Sequence, residues 1–126
     1  GANGIGNARS LARIYAATVG EVDGVRILGE DTRARATVSN TPKGEMDQVL
    51  ISETDFAMGF MVHCPRTPFA GPTSFGHDGA GGSSSFADPS REMGFSYVMN
   101  TMMTVADSDP RRERLIAAAA QCADAS

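Results

Sequence analysis

Residues 75–89 read FGHDGAGGSSSFADP, and this glycine-rich run constrains the fold more than any other part of the chain. We predict a short strand on each side of its glycines, over residues 74–78 and 83–87. Glycine weakens a strand and marks a place where the chain turns or where another group approaches the backbone closely. The run therefore predicts a strand-turn-strand unit with the polar His77 close to its turn.

The segments on either side of this run predict further strands. In residues 54–64, TDFAMGFMVHC, both alternating sets of side chains are largely apolar, which is typical of a strand covered on two faces. After the glycine-rich unit and the turn DPSRE, residues 94–100 supply another strand. Together these strands predict a small antiparallel sheet.

Helical patterns enclose the predicted sheet. Asn7 is a favourable N-cap for an amphipathic helix that ends near Gly20, and residues 30–38 suit a short second helix. Asp109 or Asp107 caps a last helix. Three residues are expected on the inner face of that helix: Leu115, Ala119 and Cys122. The predicted fold class is α+β, an antiparallel sheet with N- and C-terminal helices packed on it.

The composition excludes several classes of function. The chain has 126 residues, 41% of them apolar and 21% charged, and no apolar run approaches the roughly 20 residues of a membrane span. The net charge of -4 argues against a nucleic-acid partner, which normally requires a basic face. No spacing of His or Cys suits a metal, so neither a metal nor another cofactor is predicted. Cys64 and Cys122 are expected to be two buried free thiols.

The N-terminal run GANGIG has a superficial likeness to the glycine loop of short-chain dehydrogenases. That loop has the spacing G-x-x-x-G-x-G after a strand, whereas Gly1, Gly4 and Gly6 are one residue too close and no strand precedes them. The companion Tyr-x-x-x-Lys is also missing, because Thr101 stands four residues after Tyr97. We interpret the run as a loop that leads into the first helix.

On its chemistry alone, His77 has two interpretations. Imidazole suits hydrogen bonding and proton transfer near neutral pH, and the N–H groups of Gly79, Gly81 and Gly82 would be accessible to a carbonyl oxygen or an oxyanion. The alternative is a structural histidine in a glycine-rich hairpin, which the bare chemistry favours. Residue types and spacing therefore leave the function open.

The stretch FGHDGAGGSSSFADPSREMGFSYVMNTM resembles the C-terminal segment of serine hydrolases related to class C β-lactamases and penicillin-binding proteins, a group that includes many esterases. In that group a strand beside the active site carries Lys-Thr-Gly or a variant such as His-x-Gly, which residues 77–79 match. A glycine pair at 81–82, Asp-Pro at 88–89 and an aromatic-to-Asn strand at 97–100 follow in the family's order. The resemblance implies that residues 1–126 are the C-terminal part of a single β-lactamase-like domain.

The resemblance also implies roles for individual residues. His77 would face the reacting serine and help to bind or polarise the substrate, and the Ala80 N–H would be one of two oxyanion-hole donors. Four further residues would contact the substrate: Phe75, Asp78, Gly79 and Gly81. The chain departs from Lys-Thr-Gly where it has His77 and Asp78, and this departure favours ester hydrolysis over recognition of a β-lactam carboxylate.

The nucleophile of this family lies in Ser-x-x-Lys, which this chain does not contain. Its only lysine is Lys43, and Asn40 stands three residues before it. We therefore expect a fragment of a serine hydrolase, with carboxylesterase activity in the full-length protein and none in this chain alone. Its partners would be a small ester or β-lactam-like substrate and a complementary N-terminal chain or segment. The alternative is a non-catalytic module, similar to a penicillin-binding protein, for binding or regulation.

Overall fold

A computed structural model describes residues 4–103 and 109–126. These residues form three α-helices: α1 (Ala8–Val19), α2 (Glu30–Ala36) and α3 (Pro110–Asp124). They also form four strands: β1 (Met61–Val62), β2 (Phe75–Asp78), β3 (Ser84–Asp88) and β4 (Met93–Tyr97). The strands make one antiparallel sheet in the order β1-β2-β3-β4, so each strand lies next to its neighbour in sequence. The predicted α+β fold is confirmed.

Both terminal helices begin where the sequence predicts. Asn7 caps α1, and its Oδ1 accepts a hydrogen bond from the Ser10 N–H at 2.9 Å. Asp109 caps α3 and accepts a hydrogen bond from the Arg111 N–H at 3.0 Å. Pro110 lies in the first turn of α3, where its missing N–H removes no helical hydrogen bond.

One face of the sheet packs on α1. Phe75 of β2 and Ala87 of β3 are paired across the strands, and both are fully buried in a cluster with Val19 of α1. Gly94 of β4 allows the helix to approach, because a Cβ at this position would lie 2.3 Å from the Ala12 carbonyl oxygen. Backbone therefore packs directly on backbone where α1 crosses β4.

The opposite face of the sheet packs on α3. Phe86 of β3 is fully buried and joins Met61, Phe69 and Ile116 in a second apolar cluster. The Phe86 ring centroid lies 5.1 Å from those of both Phe69 and Phe95. Because side chains alternate along a strand, β3 is covered on both faces over its whole length, and β2 is covered on both faces at Phe75 and Gly76.

The prediction of one strand over residues 54–64 is wrong, because the observed strand is much shorter. Only β1 is strand, because the chain turns back on itself immediately before it. Phe56 pairs with Met61, and the turn between them passes through Gly59, whose φ is +81°. Met58 lies in this turn and is 68% exposed instead of facing the core. The glycine inside the alternating pattern is thus a turn residue, with the positive φ that glycine tolerates.

The inner face predicted for α3 is wrong for two of its three residues, since only Ala119 is half-buried. Leu115 is 50% exposed and Cys122 is exposed, whereas Arg112 and Ile116 are buried. Because α3 is rich in alanine, its faces differ little in hydropathy, and periodicity alone does not distinguish them. Of the two thiols, that of Cys64 is buried as predicted and that of Cys122 is not.

Two sequence predictions fall on parts of the chain outside the described residues: Asp107 as an alternative helix cap, and residues 1–3 of the N-terminal run. Within the residues that the structure describes, no helix has both the length and the apolar character needed to cross a membrane.

Candidate active site

His77 lies near the end of β2 with an exposed side chain. Its Nδ1 is 2.7 Å from the carbonyl oxygen of Asp78. Because a carbonyl oxygen only accepts hydrogen bonds, Nδ1 carries the proton, and Nε2 is the acceptor of the neutral ring. The centroid of the ring lies 6.2 Å from that of Phe56. The imidazole is therefore oriented, and Nε2 is the nitrogen left for a proton or a hydrogen bond from a bound molecule.

After Asp78 the chain makes the tight turn that joins β2 to β3. The Gly82 N–H donates to the Gly79 carbonyl oxygen at 2.9 Å, and the Gly79 N–H donates to the Ser83 carbonyl oxygen at 2.7 Å. Ala80 is exposed at the second position of this turn, and its N–H has no hydrogen-bond partner in the described part of the chain. An unused N–H on an exposed residue can donate to a carbonyl oxygen or an oxyanion.

Neighbouring side chains crowd the glycines of the turn. A Cβ on Gly79 would lie 2.2 Å from Ser83 Oγ, and a Cβ on Gly81 would lie 2.8 Å from Met102 Cε. The Gly81 carbonyl oxygen also accepts the Met103 N–H at 3.0 Å, which connects the turn to the segment after β4. Larger residues here would have to displace these side chains. The substrate contacts expected of Gly79 and Gly81 stay predictions.

Asp78 directs its side chain to the opposite face of the strand from His77, because successive side chains alternate. Its Oδ2 accepts a hydrogen bond from Arg112 Nη1 of α3 at 2.9 Å, and both side chains are largely buried. The charge of Asp78 also acts on α1: burial raises the pKa of the Tyr15 hydroxyl, and the negative charge of Asp78 raises that pKa further. Asp78 is thus partnered within the chain.

The run from His77 to Ala80 borders an open depression of about 270 Å³. The other residues that line it are Val49, Leu50, Met61, Arg66, Thr67 and Arg112. Arg112 lies four residues before Ile116, so the sequence places both residues on the same face of α3. No sequence pattern identifies the lining residues from the loops, because only folding brings them beside β2. Phe75 does not line the depression. It is fully buried with its ring centroid 5.0 Å from that of Phe60, and its expected substrate contact stays a prediction.

Asp47 organises the loop that brings apolar side chains to the depression. Its Oδ1 accepts hydrogen bonds from the N–H groups of Val49 and Leu50 at 2.8 and 2.9 Å, and its Oδ2 accepts one from the Thr54 hydroxyl at 3.1 Å. The two N–H groups lower the pKa of Asp47, and the Arg66 guanidinium contributes in the same direction. Val49 and Leu50 are 86% and 42% exposed. The depression thus combines an apolar rim with the polar turn around Ala80.

Metal chemistry has no preformed site in the described ranges, because no three His, Cys, Asp or Glu side chains there are grouped so that they could hold an ion.

A family model described as Beta-lactamase matches residues 1–120. Among curated proteins, the esterase/beta-lactamase LipL of Mycobacterium tuberculosis (strain ATCC 25618 / H37Rv) is 33% identical over 105 residues. The match covers 82% of this chain and 24% of LipL, so the chain spans about a quarter of the length of that relative.

Solved structures match over almost the whole chain. A family VIII carboxylesterase is 36% identical with a TM-score of 0.80, and the match covers 93% of this chain and 32% of that one. EstA from Arthrobacter nitroguajacolicus Rue61a is 32% identical with a TM-score of 0.82, and the match covers 94% of this chain and 32% of EstA. A novel penicillin-binding protein homolog from Caulobacter crescentus is 37% identical with a TM-score of 0.79, covering 93% and 32%.

Proposed function

The chain belongs to the Beta-lactamase family, and from this premise we propose that it is the C-terminal portion of a serine hydrolase with carboxylesterase activity. The reacting serine would come from a Ser-x-x-Lys segment in a part of the full-length protein outside residues 1–126. Relatives named as an esterase/beta-lactamase and as a carboxylesterase support this reaction class. The geometry around Ala80 supports a role of this chain in the chemistry.

The observation that carries the proposal is the unused N–H of Ala80, in the same depression as the His77 imidazole. When a serine oxygen attacks an ester, the serine proton passes to a base and the carbonyl oxygen becomes an oxyanion. Ala80 would supply one of the two N–H donors that stabilise this oxyanion. The oxyanion then collapses, the bond to the alcohol oxygen breaks, and the alcohol leaves with a proton. Water hydrolyses the acyl-enzyme through the same oxyanion geometry.

His77 would contact the substrate through Nε2. Because Nδ1 is engaged with the carbonyl oxygen of Asp78, Nε2 is the ring nitrogen available to accept a proton or a hydrogen bond. Four residues would contribute by shaping the strand and turn that border the substrate: Phe75, Asp78, Gly79 and Gly81. The exposed Val49 and Leu50 beside this turn favour esters with an apolar group, since their contact removes apolar surface from water.

The remainder of the full-length protein would pair with this chain along β4. Within the described residues β4 is bonded to β3 on one side and has no neighbouring strand on the other. A free strand edge leaves backbone N–H and C=O groups for a further strand. We propose that a complementary N-terminal segment docks at this edge and completes the domain that holds the serine.

The test uses the full-length protein with p-nitrophenyl butyrate and with a fluorophosphonate that modifies reactive serines. We expect hydrolysis well above buffer, its loss after modification, and the modified serine in a Ser-x-x-Lys segment. The matched control is the isolated chain of residues 1–126, which is expected to be inactive. Hydrolysis by the isolated chain, or a full-length protein without a reactive serine, would refute the proposal.

A non-catalytic binding or regulatory module is the second candidate, favoured by the penicillin-binding protein homolog among the structural matches. The two candidates differ in the fate of the acyl-enzyme. An esterase releases the acyl group and reacts again, whereas a binding module either keeps a fluorescent penicillin covalently attached or does not react. A stable penicillin adduct without ester turnover would therefore favour the module.

A further inference from the structure

Asp78 and Arg112 supply a paired charge to the lining of the depression, one from β2 and one from α3. Their side chains are 19% and 11% exposed, and the contact between Asp78 Oδ2 and Arg112 Nη1 is 2.9 Å. The second carboxylate oxygen, Oδ1, is buried and has no hydrogen-bond partner among the described residues. The guanidinium that could attract an anionic ligand is therefore neutralised by a carboxylate of the same chain.

Arg66 is the other cation that lines the depression, and it too has an acidic neighbour. Its Nη1 donates to the Ser52 hydroxyl at 3.1 Å. The pKa of Asp47 is lowered mainly by hydrogen bonds from the N–H groups of Leu50 and Val49, and the charge of Arg66 lowers it further. Arg112 is thus paired with Asp78 inside the depression, whereas Asp47 interacts with Arg66 through its charge and does not itself line the depression. The ion pair with Asp78 therefore offsets the positive charge that Arg112 brings to the lining of the depression.

We propose that the Asp78–Arg112 ion pair is a specificity determinant, which makes the site select esters whose acyl group carries no carboxylate. The inference rests on the proposed function and names its substrate class. A carboxylate on the acyl group would have to replace Asp78 as the partner of Arg112 while lying close to the charge of Asp78. The substrate carboxylate and the Asp78 carboxylate would repel each other, and water screens this repulsion less where the groups are partly buried. A neutral acyl group meets no such barrier.

The experiment compares two esters with the same leaving group in the full-length protein. p-Nitrophenyl hexanoate and mono-p-nitrophenyl adipate have acyl chains of equal length, which end in a methyl group and in a carboxylate. The measured quantity is the adipate-to-hexanoate ratio of kcat/KM after subtraction of the buffer rate. We expect a ratio well below one for the wild type. Asp78→Asn should raise it about 10-fold or more, because a hydrogen bond between charged groups corresponds to at least that factor.

Two control variants isolate the cause of any change. The double variant Asp78→Asn/Arg112→Met lacks the cation and should lose the gain in ratio. Asp31→Asn removes the same charge from the exposed helix α2, outside the depression, and should leave the ratio unchanged. Thermal unfolding of each variant checks that it is folded.

If Asp78→Asn does not fold, Arg112→Met provides the second measurement. It leaves the Asp78 carboxylate without its cation and should lower the ratio several-fold below the wild-type value. An unchanged ratio in a folded Asp78→Asn or Arg112→Met variant would overturn the inference, as would a gain that persists without Arg112. A wild-type protein inactive on the hexanoate would instead refute the proposed function, and the inference with it.

Discussion

Replacement of Ala80 by proline would remove a single backbone N–H from the candidate site. Ala80 is the second residue of the turn closed by the hydrogen bond from Gly82 to Gly79, a position that favours proline. Its φ is negative, as a proline ring requires, and its N–H has no partner in the described part of the chain. The preceding Gly79 tolerates the restriction that proline imposes on its neighbour. We therefore expect Ala80→Pro to change the free energy of unfolding by less than about 1 kcal/mol.

The effect of this change on catalysis is expected to be much larger. Removal of one oxyanion donor lowers kcat by about 10²- to 10³-fold, which corresponds to about 2.7–4 kcal/mol of transition-state stabilisation. KM should change less, because the neutral carbonyl oxygen of the bound ester accepts a weaker hydrogen bond than the oxyanion does. A fall in kcat with little change in stability would separate the role of the N–H from that of the fold.

The assay is steady-state hydrolysis of p-nitrophenyl butyrate by the full-length protein, together with thermal unfolding. Ala80→Ser is the matched control, because it changes the side chain and keeps the N–H, and its kcat should stay within about 3-fold of the wild type. A folded Ala80→Pro variant with kcat inside that same range would show that this N–H does not stabilise the oxyanion. Equal losses in the serine and proline variants would also refute the reasoning, since the side-chain position and not the N–H would then be responsible.

Three further changes test the site and the fold. His77→Ala in the full-length protein should lower kcat/KM by about 10²-fold or more because it removes Nε2 from the depression, and an unchanged value would return His77 to a structural role. Gly94→Ala should lower the melting temperature by several degrees or more, because its methyl group would lie 2.3 Å from the Ala12 carbonyl oxygen; an unchanged melting temperature would contradict this packing. Hydrogen bonds from Arg111 lower the pKa of Asp109 to about 2, against the opposing effect of burial. Because the pKa of Asp109 in the folded chain is lower than its value of about 3.9 in the unfolded chain, the ionised carboxylate stabilises the fold fully above about pH 4, and this stabilisation is lost as the pH falls toward 2. The melting temperature of Asp109→Asn should therefore fall less between these pH values than that of the wild type.

The parts of the fold that the sequence predicts are those governed by local physics. The caps at Asn7 and Asp109 depend on hydrogen bonds within three residues, and the glycine-rich turn depends on residues 79–82 themselves. The turn through Gly59 is local as well, but the apolar residues alternate on both sides of the glycine, and this periodicity predicts a continuous strand instead of a turn. The buried face of α3 is different, because it is decided by which residues meet Phe86 across the sheet.

The candidate site divides in the same way. The run from His77 to Ala80 is continuous in sequence, and its resemblance to a family motif identifies it before folding is considered. Arg112 lies 34 residues from its partner Asp78, and only the packing of α3 on the sheet brings the two together. The loop around Val49 likewise reaches the depression through tertiary contacts that follow no periodic pattern. The Asp78–Arg112 ion pair and the apolar rim, on which the proposed substrate preference rests, are therefore properties of the folded chain.

Because side chains alternate along β2, His77 and Asp78 point to opposite faces and have separate roles in these proposals. The Nδ1 of His77 is bonded to the carbonyl oxygen of Asp78 and not to its carboxylate, so the Asp78 side chain takes no part in this orienting hydrogen bond. The carboxylate of Asp78 leaves on the other face and meets α3. A change of side chain at Asp78 therefore alters the charge presented by Arg112 without releasing the imidazole. It follows that substrate charge preference and the use of Nε2 can vary independently, although the residues responsible are adjacent in sequence.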